Sequence, residues 1–361
     1  MTNACIERTH YFAKPGRATE VLEARRAASL VRTAIGLPAG RISQRAEGSD
    51  PGPDVEWECR FTDRAARDAD LAARAASPEF EAARSHMSSL IDKFERHVLE
   101  VANDPDTLID LTDWPMAPEA VTFAGPRGTL TGFLYLPPGD GPFPCMVTNH
   151  GSGLTSETKD ICKPSVAATL LQWGVACLYP HRWGYGRSDG LYWRDEVTAQ
   201  YGTDDYDTQL RARLDSEAND VVAALSYAKS RPEVDADRIG VMGSSFGGTV
   251  SLLAATKEPG FRCMIDFAGA AMNWERAPKL RSHMIEAASS LTQPSFFIQA
   301  ENDYSIGPTK DIAAALKGSA LPVESHIFPT FGVTDEEGHL FEKHGPMIWG
   351  HHVRRFLDKH L

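Results

Sequence analysis

From residue 55 onward, apolar and charged positions alternate: Val55, Trp57, Cys59 and Phe61 are interleaved with Glu56, Glu58 and Arg60. A period of two predicts a strand with one buried face. Upstream, Val21, Ala24, Ala28 and Val31 recur at helical spacing, and Gly36 and Pro38 end the run, which predicts a helix. Ile6 to Phe12 and Arg41 to Ala46 read as strands, and Gly48 to Pro53 reads as a turn. Helical segments follow through about Ile91. Phe94 to Val101 is the expected last strand.

Beyond residue 119 the pattern changes. Val121 to Phe123 and Leu130 to Leu136 form an expected hairpin. Short, continuously apolar runs then alternate with helical stretches. The runs are Cys145 to Thr148, Val175 to Tyr179, Ile239 to Met242, Cys263 to Phe267 and Ser295 to Gln299. The helical stretches are 163–173, 217–229, 246–256 and 310–316. Such alternation predicts an α/β fold with a mostly parallel sheet covered on both faces. The expected organisation is therefore a small ferredoxin-like α+β domain at 1–101, ordered β-α-β-β-α-β, a Pro- and Asp-rich linker at 102–118, and a catalytic domain at 119–361. Leu191 to Ser216 reads as an irregular insertion. Its Tyr192, Trp193, Tyr201 and Tyr206 would either wall a pocket or pack the insertion onto the sheet.

Composition narrows the partners. With 37 Lys and Arg against 49 Asp and Glu, the formal net charge is -12, so nucleic acid is not an expected partner. No apolar run is long enough to span a bilayer, and no basic-then-apolar leader opens the chain. The six cysteines are scattered without metal-ligand spacing, so neither a disulfide framework nor a metal site is expected. A cytoplasmic location is the expectation.

One motif carries chemistry. Gly243-Ser244-Ser245-Phe246-Gly247 fits G-x-S-x-G, with an apolar strand running in and a helix running out. A turn this sharp lifts the central hydroxyl to the carboxyl edge of the sheet and holds Ser245 in a strained backbone conformation. Ser245 is the expected nucleophile. The helix N-terminus beneath it favours developing negative charge, and the Phe246 N–H is one expected oxyanion donor. The second is Ser152, with Gly153 next, in His150-Gly151-Ser152-Gly153. His150 precedes the nucleophile and reads as a structural residue of that loop. The acid is expected after the strand Ser295 to Ala300: Asp303 from its loop position, with Glu301 its competitor. The base is expected after Val323 to Phe328: His339, with His344 the runner-up. Asp303 would hold the imidazole, and His339 would shuttle the proton of Ser245.

Residues 119–361 resemble the dienelactone-hydrolase-like and prolyl-oligopeptidase-like branches of the α/β-hydrolases. The resemblance rests on His150 to Gly153, on Arg182 to Gly190, on Gly243 to Gly248, on Glu301-Asn302-Asp303 and on Gly338-His339. Ser245 stands where true dienelactone hydrolases carry Cys, and the segment Thr330 to Gly338 is longer and more acidic than their usual approach to the His. The resemblance implies a serine esterase that acts on a small-molecule ester through an acyl-enzyme, without cofactor. The alternatives are a small-peptide or amide hydrolase and a non-catalytic binding protein on the same scaffold. Residues 1–101 resemble the NIPSNAP-like branch of the dimeric α+β barrels, through their strand order and the pattern around Trp57 and Phe61. This implies a homodimer through that domain. Some members are monooxygenases or bind haem, which leaves a bifunctional protein as a further alternative, although no residue here carries either activity. Trp57 reads as a core residue and His97 as a surface one.

Overall fold

The computed structural model describes residues 4–47, 52–100, 108–153 and 161–361. Most of the expected turn at 48–53, Val101 and the first residues of the linker lie outside them. The chain divides into two compact units, Met1–Asp106 and Thr107–Leu361.

The first unit runs β1 (Cys5–Ala13), α1 (Ala18–Ala34), β2 (Arg41–Gln44), β3 (Val55–Phe61), α2 (Arg64–Ala76), α3 (Pro78–Leu90) and β4 (Ile91–Glu100). Its strands form an antiparallel sheet in the order β2-β3-β1-β4. The alternation in β3 does what a period of two demands. Val55, Trp57, Cys59 and Phe61 are buried and join Val21, Ala24, Met87 and Leu90 in one core. Asp63 and Ser77 cap α2 and α3 by accepting the N–H groups of Ala66 and Phe80. The opposite face of the sheet is charged. Arg8 Nε donates to Glu58 at 2.9 Å, His10 pairs with Glu56 at 2.8 Å, and Glu95 and His97 lie beside them, with Ile6, Phe12 and Leu99 as the apolar members.

The second unit opens with β5 (Glu119–Ala124) and β6 (Thr129–Tyr135). It continues through β7 (Phe143–Asn149), α4 (Pro164–Leu171), β8 (Ala176–His181), α5 (Trp193–Glu196), α6 (Asp204–Lys229), β9 (Val234–Ser244), α7 (Phe246–Lys257) and β10 (Met264–Phe267). It closes with α8 (Pro278–Ser289), β11 (Ser295–Ala300), α9 (Gly307–Ala315), β12 (Val323–Phe328), α10 (Asp335–His339), α11 (Phe341–His344) and α12 (Pro346–His360). Among the described residues the sheet order is β12-β11-β10-β9-β7-β8-β6-β5. From β8 to β12 neighbours are parallel, and β5 and β6 are antiparallel. This is the α/β-hydrolase fold. The central strands are buried on both faces, which is why they read as continuous apolar runs. One core lies under α6, α7 and α8, the other under α4 and α12. The end of the expected linker is tied to this unit: the Ile109 N–H donates to the Gln172 carbonyl at 2.7 Å, and the Trp114 indole to Leu136 at 3.2 Å.

Two elements depart from the sequence pattern. Leu191 to Ser216 is not an irregular insertion. It contains α5 and the first half of α6, which begins at a Thr203 cap with Asp204, Asp205 and Asp207 in its first turn. Its buried side includes Asp207, Arg213, Glu217 and Asp220 as well as Leu210 and Leu214, so the hydrophobic period is masked. The helix α8 has no cap of its own. Asp207, on α6, accepts the N–H groups of Lys279 at 2.6 Å and Leu280 at 2.9 Å, and thereby caps it from another element.

The buried polar stretch of α6 is an ion network. Glu217, fully buried, takes Arg182 Nε on one oxygen and Arg213 Nε on the other, each at 2.6 Å. Arg213 also donates to the carbonyls of Trp183 and Leu191. Removing one member of such a group leaves charge uncompensated in a dry interior, which costs about 3–5 kcal/mol. Glu217→Gln is expected to lower unfolding stability by about that amount in urea melts. A loss under about 1 kcal/mol would mean that the two arginines find compensation elsewhere.

Candidate active site

The strand β9 ends at Ser244, and Ser245 follows with φ 59° and ψ -126°, after which α7 begins at once. A non-glycine residue in this region is strained, of order 1–3 kcal/mol, and persists only where its surroundings hold it. Here the Ser245 N–H donates to the Phe267 carbonyl at 2.9 Å, and the Ser245 carbonyl accepts the Thr249 N–H at 3.1 Å. The two flanking glycines answer to space. A Cβ on Gly243 would lie 2.4 Å from the Gly247 carbonyl oxygen, and one on Gly247 would lie 2.2 Å from that of Asn149.

The loop after β7 lies against this turn: a Cβ on Gly151 would sit 3.2 Å from the Cβ of Ser245 and 3.7 Å from its Oγ. His150 is buried beside it. The Arg182 N–H points at His150 Nε2 at 3.4 Å, which makes that nitrogen the acceptor and leaves Nδ1–H to donate to the Gly151 carbonyl at 2.8 Å. Burial first, and then the nearby Arg182, hold the His150 pKa well below its ordinary value, so the ring is neutral. A neutral ring with both nitrogens committed shapes the loop. Further along, the Ser152 carbonyl accepts from the Tyr192 hydroxyl at 3.1 Å and the Trp193 indole at 3.3 Å. Trp193 in turn packs edge-on against Phe246, with centroids 5.1 Å apart.

Asp303 lies in the turn after β11 and His339 at the end of α10. His339 Nδ1 is 2.8 Å from Asp303 Oδ1. The Tyr304 N–H donates to the same oxygen at 2.7 Å, and Gln299 Nε2 donates to Oδ2 at 3.0 Å. His339 Nε2 is buried and has no hydrogen-bond partner. His339 is thus not on an open loop. The acidic segment before it forms a short helix with a capping box, in which Thr334 and Glu337 satisfy each other's backbone N–H groups. Glu301 and His344, the competing candidates, are exposed.

Ser245, His339, Gly151, Ser152 and Gly153 line one cavity of about 360 Å3, with Ile161, Tyr179, Met272, Tyr304 and Leu340 as its apolar walls. Of its charged members, Lys163 and Glu342 pair with each other at 2.7 Å. The four aromatics of the 191–216 stretch do not line it. Tyr192 and Trp193 brace the Ser152 loop, Tyr201 bonds to the Met272 carbonyl and Tyr206 to Asn273. Among the described residues one group with metal-ligand atoms within 4.8 Å of one another occurs, His10, Glu95 and His97, on the charged face of the first unit.

Sequence reasoning missed Asp266, at the end of β10. Its Oδ1 accepts the Gly269 N–H at 2.8 Å and would lie 2.0 Å from a Cβ on Gly248, which explains that second glycine. The signal was an Asp inside an otherwise apolar run. Burial pushes its carboxyl up to about 7, against the Gly269 hydrogen bond and with a smaller push from Asp303.

The sequence pattern of the dienelactone hydrolase family matches residues 138–344. Among curated proteins, the acyltransferase drtE of Aspergillus calidoustus is 34% identical over 137 residues, 38% of this chain and 38% of that protein. The polyketide transferase grgF of a Penicillium species is 28% identical over 212 residues, 55% of this chain and 64% of that one. The chain therefore spans less than two thirds of the length of these relatives. Among solved structures, an esterase of Pyrococcus furiosus superposes with a TM-score of 0.52 at 17% identity, over 70% of this chain and 94% of its own, a likeness of fold.

A carboxyl raised to about 7 has a definite effect on stability. Folded Asp266 keeps a proton that the unfolded chain releases near its ordinary value of 3.8. Stability therefore falls as pH rises between those two values and stays lower above them. Asp266→Asn carries no such charge. It is expected to match the wild type at the acid end and to exceed it above neutrality in urea melts across that range. Parallel curves for the two proteins would refute this.

Proposed function

This chain belongs to the dienelactone hydrolase family, and on that footing we propose that it cleaves small carboxylic esters through an acyl-enzyme formed on Ser245. The observation that carries the reading is the His339–Asp303 pair, whose unpartnered Nε2 shares a cavity with a serine held at φ 59°. In this mechanism Ser245 Oγ attacks the ester carbonyl and His339 Nε2 takes its proton. Asp303 holds Nδ1–H and stabilises the imidazolium that forms. The N–H groups of Phe246 and Ser152 receive the oxyanion, each worth about 10²–10³ in rate. The tetrahedral intermediate collapses, and the alcohol leaves with the proton from His339. Water, activated by the same nitrogen, then releases the acid and frees Ser245. The cavity of about 360 Å3 is at the small end for ligand sites, which suits a short acyl or single-ring aryl group.

A second reading is acyl transfer, favoured by the relatives named as an acyltransferase and a polyketide transferase. It differs only in the last step, where an alcohol, amine or thiol of an acceptor replaces water. Product analysis with added acceptors separates the two: free acid alone supports hydrolysis, and a transferred acyl group supports the second reading. Small-peptide or amide cleavage through the same acyl-enzyme is the remaining possibility within this chemistry.

Ser245→Ala is expected to abolish turnover of aryl esters and labelling by a fluorophosphonate, with the fold intact by circular dichroism. Asp303→Asn and His339→Ala should each cripple turnover, with a combined loss far short of the product of the two, because groups acting as one unit are not additive. Labelling at Ser244 or Ser152, or damage from Glu301→Gln instead, would sink this assignment.

For residues 1–101 we propose kinship with the dimeric α+β barrels and a homodimer through the open sheet face. That face carries paired charges around Ile6, Phe12 and Leu99, so the interface would be polar rather than apolar. Light scattering should give a dimer for the full chain and a monomer for a chain starting at Asp104. A monomeric full-length chain refutes the dimer.

A further inference from the structure

The first unit has a cavity of its own, of about 300 Å3, between its helices and the buried face of its sheet. Nothing in the proposed hydrolysis uses it. Tyr11, Trp57, Phe80 and Met87 are among its walls, and so is Arg25. Trp57 is thus both a core residue and a wall of this space.

Arg25 is the anomaly. It is 5% exposed, yet its hydrogen-bond partners are neutral. Nη1 donates to the Tyr11 hydroxyl and Nη2 to Ser29 Oγ, both at 3.2 Å, and the guanidinium lies 5.0 Å from the Trp57 ring centre. Its Nε has no partner. The carboxylates nearby are already shared. Asp70 holds Arg32 and Arg74, and Glu7 holds Arg67 and Arg74 with Arg96 at its edge. Two buried carboxylates therefore serve four arginines, and Arg25 is a further positive charge. Burial, opposed by Tyr11 and reinforced by Arg32 and Arg74, lowers its pKa. A guanidinium does not lose its proton in a protein, so the charge stays and wants an anion.

We propose that this cavity binds a small organic carboxylate, with the anionic head on Arg25 and the apolar body against Trp57 and Met87. Arg25 has no carboxylate of its own and one N–H without a partner, a donor set that fits the head of a single carboxylate. Phosphate, with more charge and more acceptor oxygens, would ask for more donors. The aromatic and thioether walls fit an aryl or short alkyl body.

The test is calorimetric titration of the full-length chain with 4-phenylbutyrate and with its neutral amide, alongside thermal melts. The acid should bind and raise Tm, and the amide should do neither. Arg25→Met keeps the bulk and removes the charge. It should weaken acid binding by at least about tenfold while leaving ester turnover unchanged. Its Tm without ligand should hold or rise, since an unpaired buried charge has gone. Ser88→Trp, at an exposed lining position, should weaken binding with Arg25 still in place, and it decides the matter if Arg25→Met does not fold. Undiminished acid binding in Arg25→Met would place the carboxylate elsewhere, in the Ser245 cavity for instance, and overturn the proposal. Equal binding of the amide, or no binding of the acid at about 1 mM, would overturn it as well.

Discussion

Two guanidiniums share one carboxylate in the dry interior of the catalytic unit, and the arrangement of the site hangs from that contact. Glu217 and Arg213 lie one turn apart on α6. Through Glu217, α6 holds Arg182 at the end of β8, and through Arg213 it holds the carbonyls of Trp183 and Leu191. The Arg182 N–H meets His150, which shapes the loop beside Ser245, and the segment ending at Trp193 reaches the carbonyl of Ser152. An apolar substitute of equal volume would pack as well, since buried ion pairs are weak contributors to net stability. What directed charge adds is direction. It fixes where a non-repetitive stretch of backbone stops, and a catalytic loop needs that more than it needs additional stability.

The parts legible in the sequence were those whose signals are local. The glycines around Ser245 are forced by contacts within a few residues of backbone, so the motif could be read without knowing the fold. Asp303 and His339 followed from their order after strands that were themselves continuous apolar runs. The first half of α6 was illegible because Asp207 and Arg213 occupy core-facing positions in it, and a reading based on hydrophobic period takes such residues for solvent-facing ones. The start of α8 was illegible for a different reason: its cap, Asp207, sits some seventy residues earlier in the chain, as the pairs Lys279–Asp207 and Leu280–Asp207 show. Asp266 falls between these cases, present in the pattern but without a partner that sequence alone supplies.

The first unit shows the same limit on a smaller scale. Alternation in β3 correctly divided its residues between two faces, yet it said nothing about the company each face keeps. The helix-covered side, expected to be plain apolar core, holds Glu7, Arg25, Arg32, Asp70 and Arg74 in its depths. The open side carries Arg8, His10, Glu56 and Glu58 in pairs. Burial and polarity are separate variables in a small sheet, and only three-dimensional pairing decides how they combine.

The backbone of Ser245 has an evolutionary side. At φ 59° the conformation is one that glycine adopts freely and serine does not. The residue on which turnover is proposed to depend is therefore also one at which a glycine would relax the protein. Drift under selection for folding alone would run toward glycine there, and selection for chemistry alone opposes it. A lineage of this scaffold that gave up catalysis would be expected to show it at this position first, while the glycines on either side, which answer to space rather than to chemistry, stayed where they are.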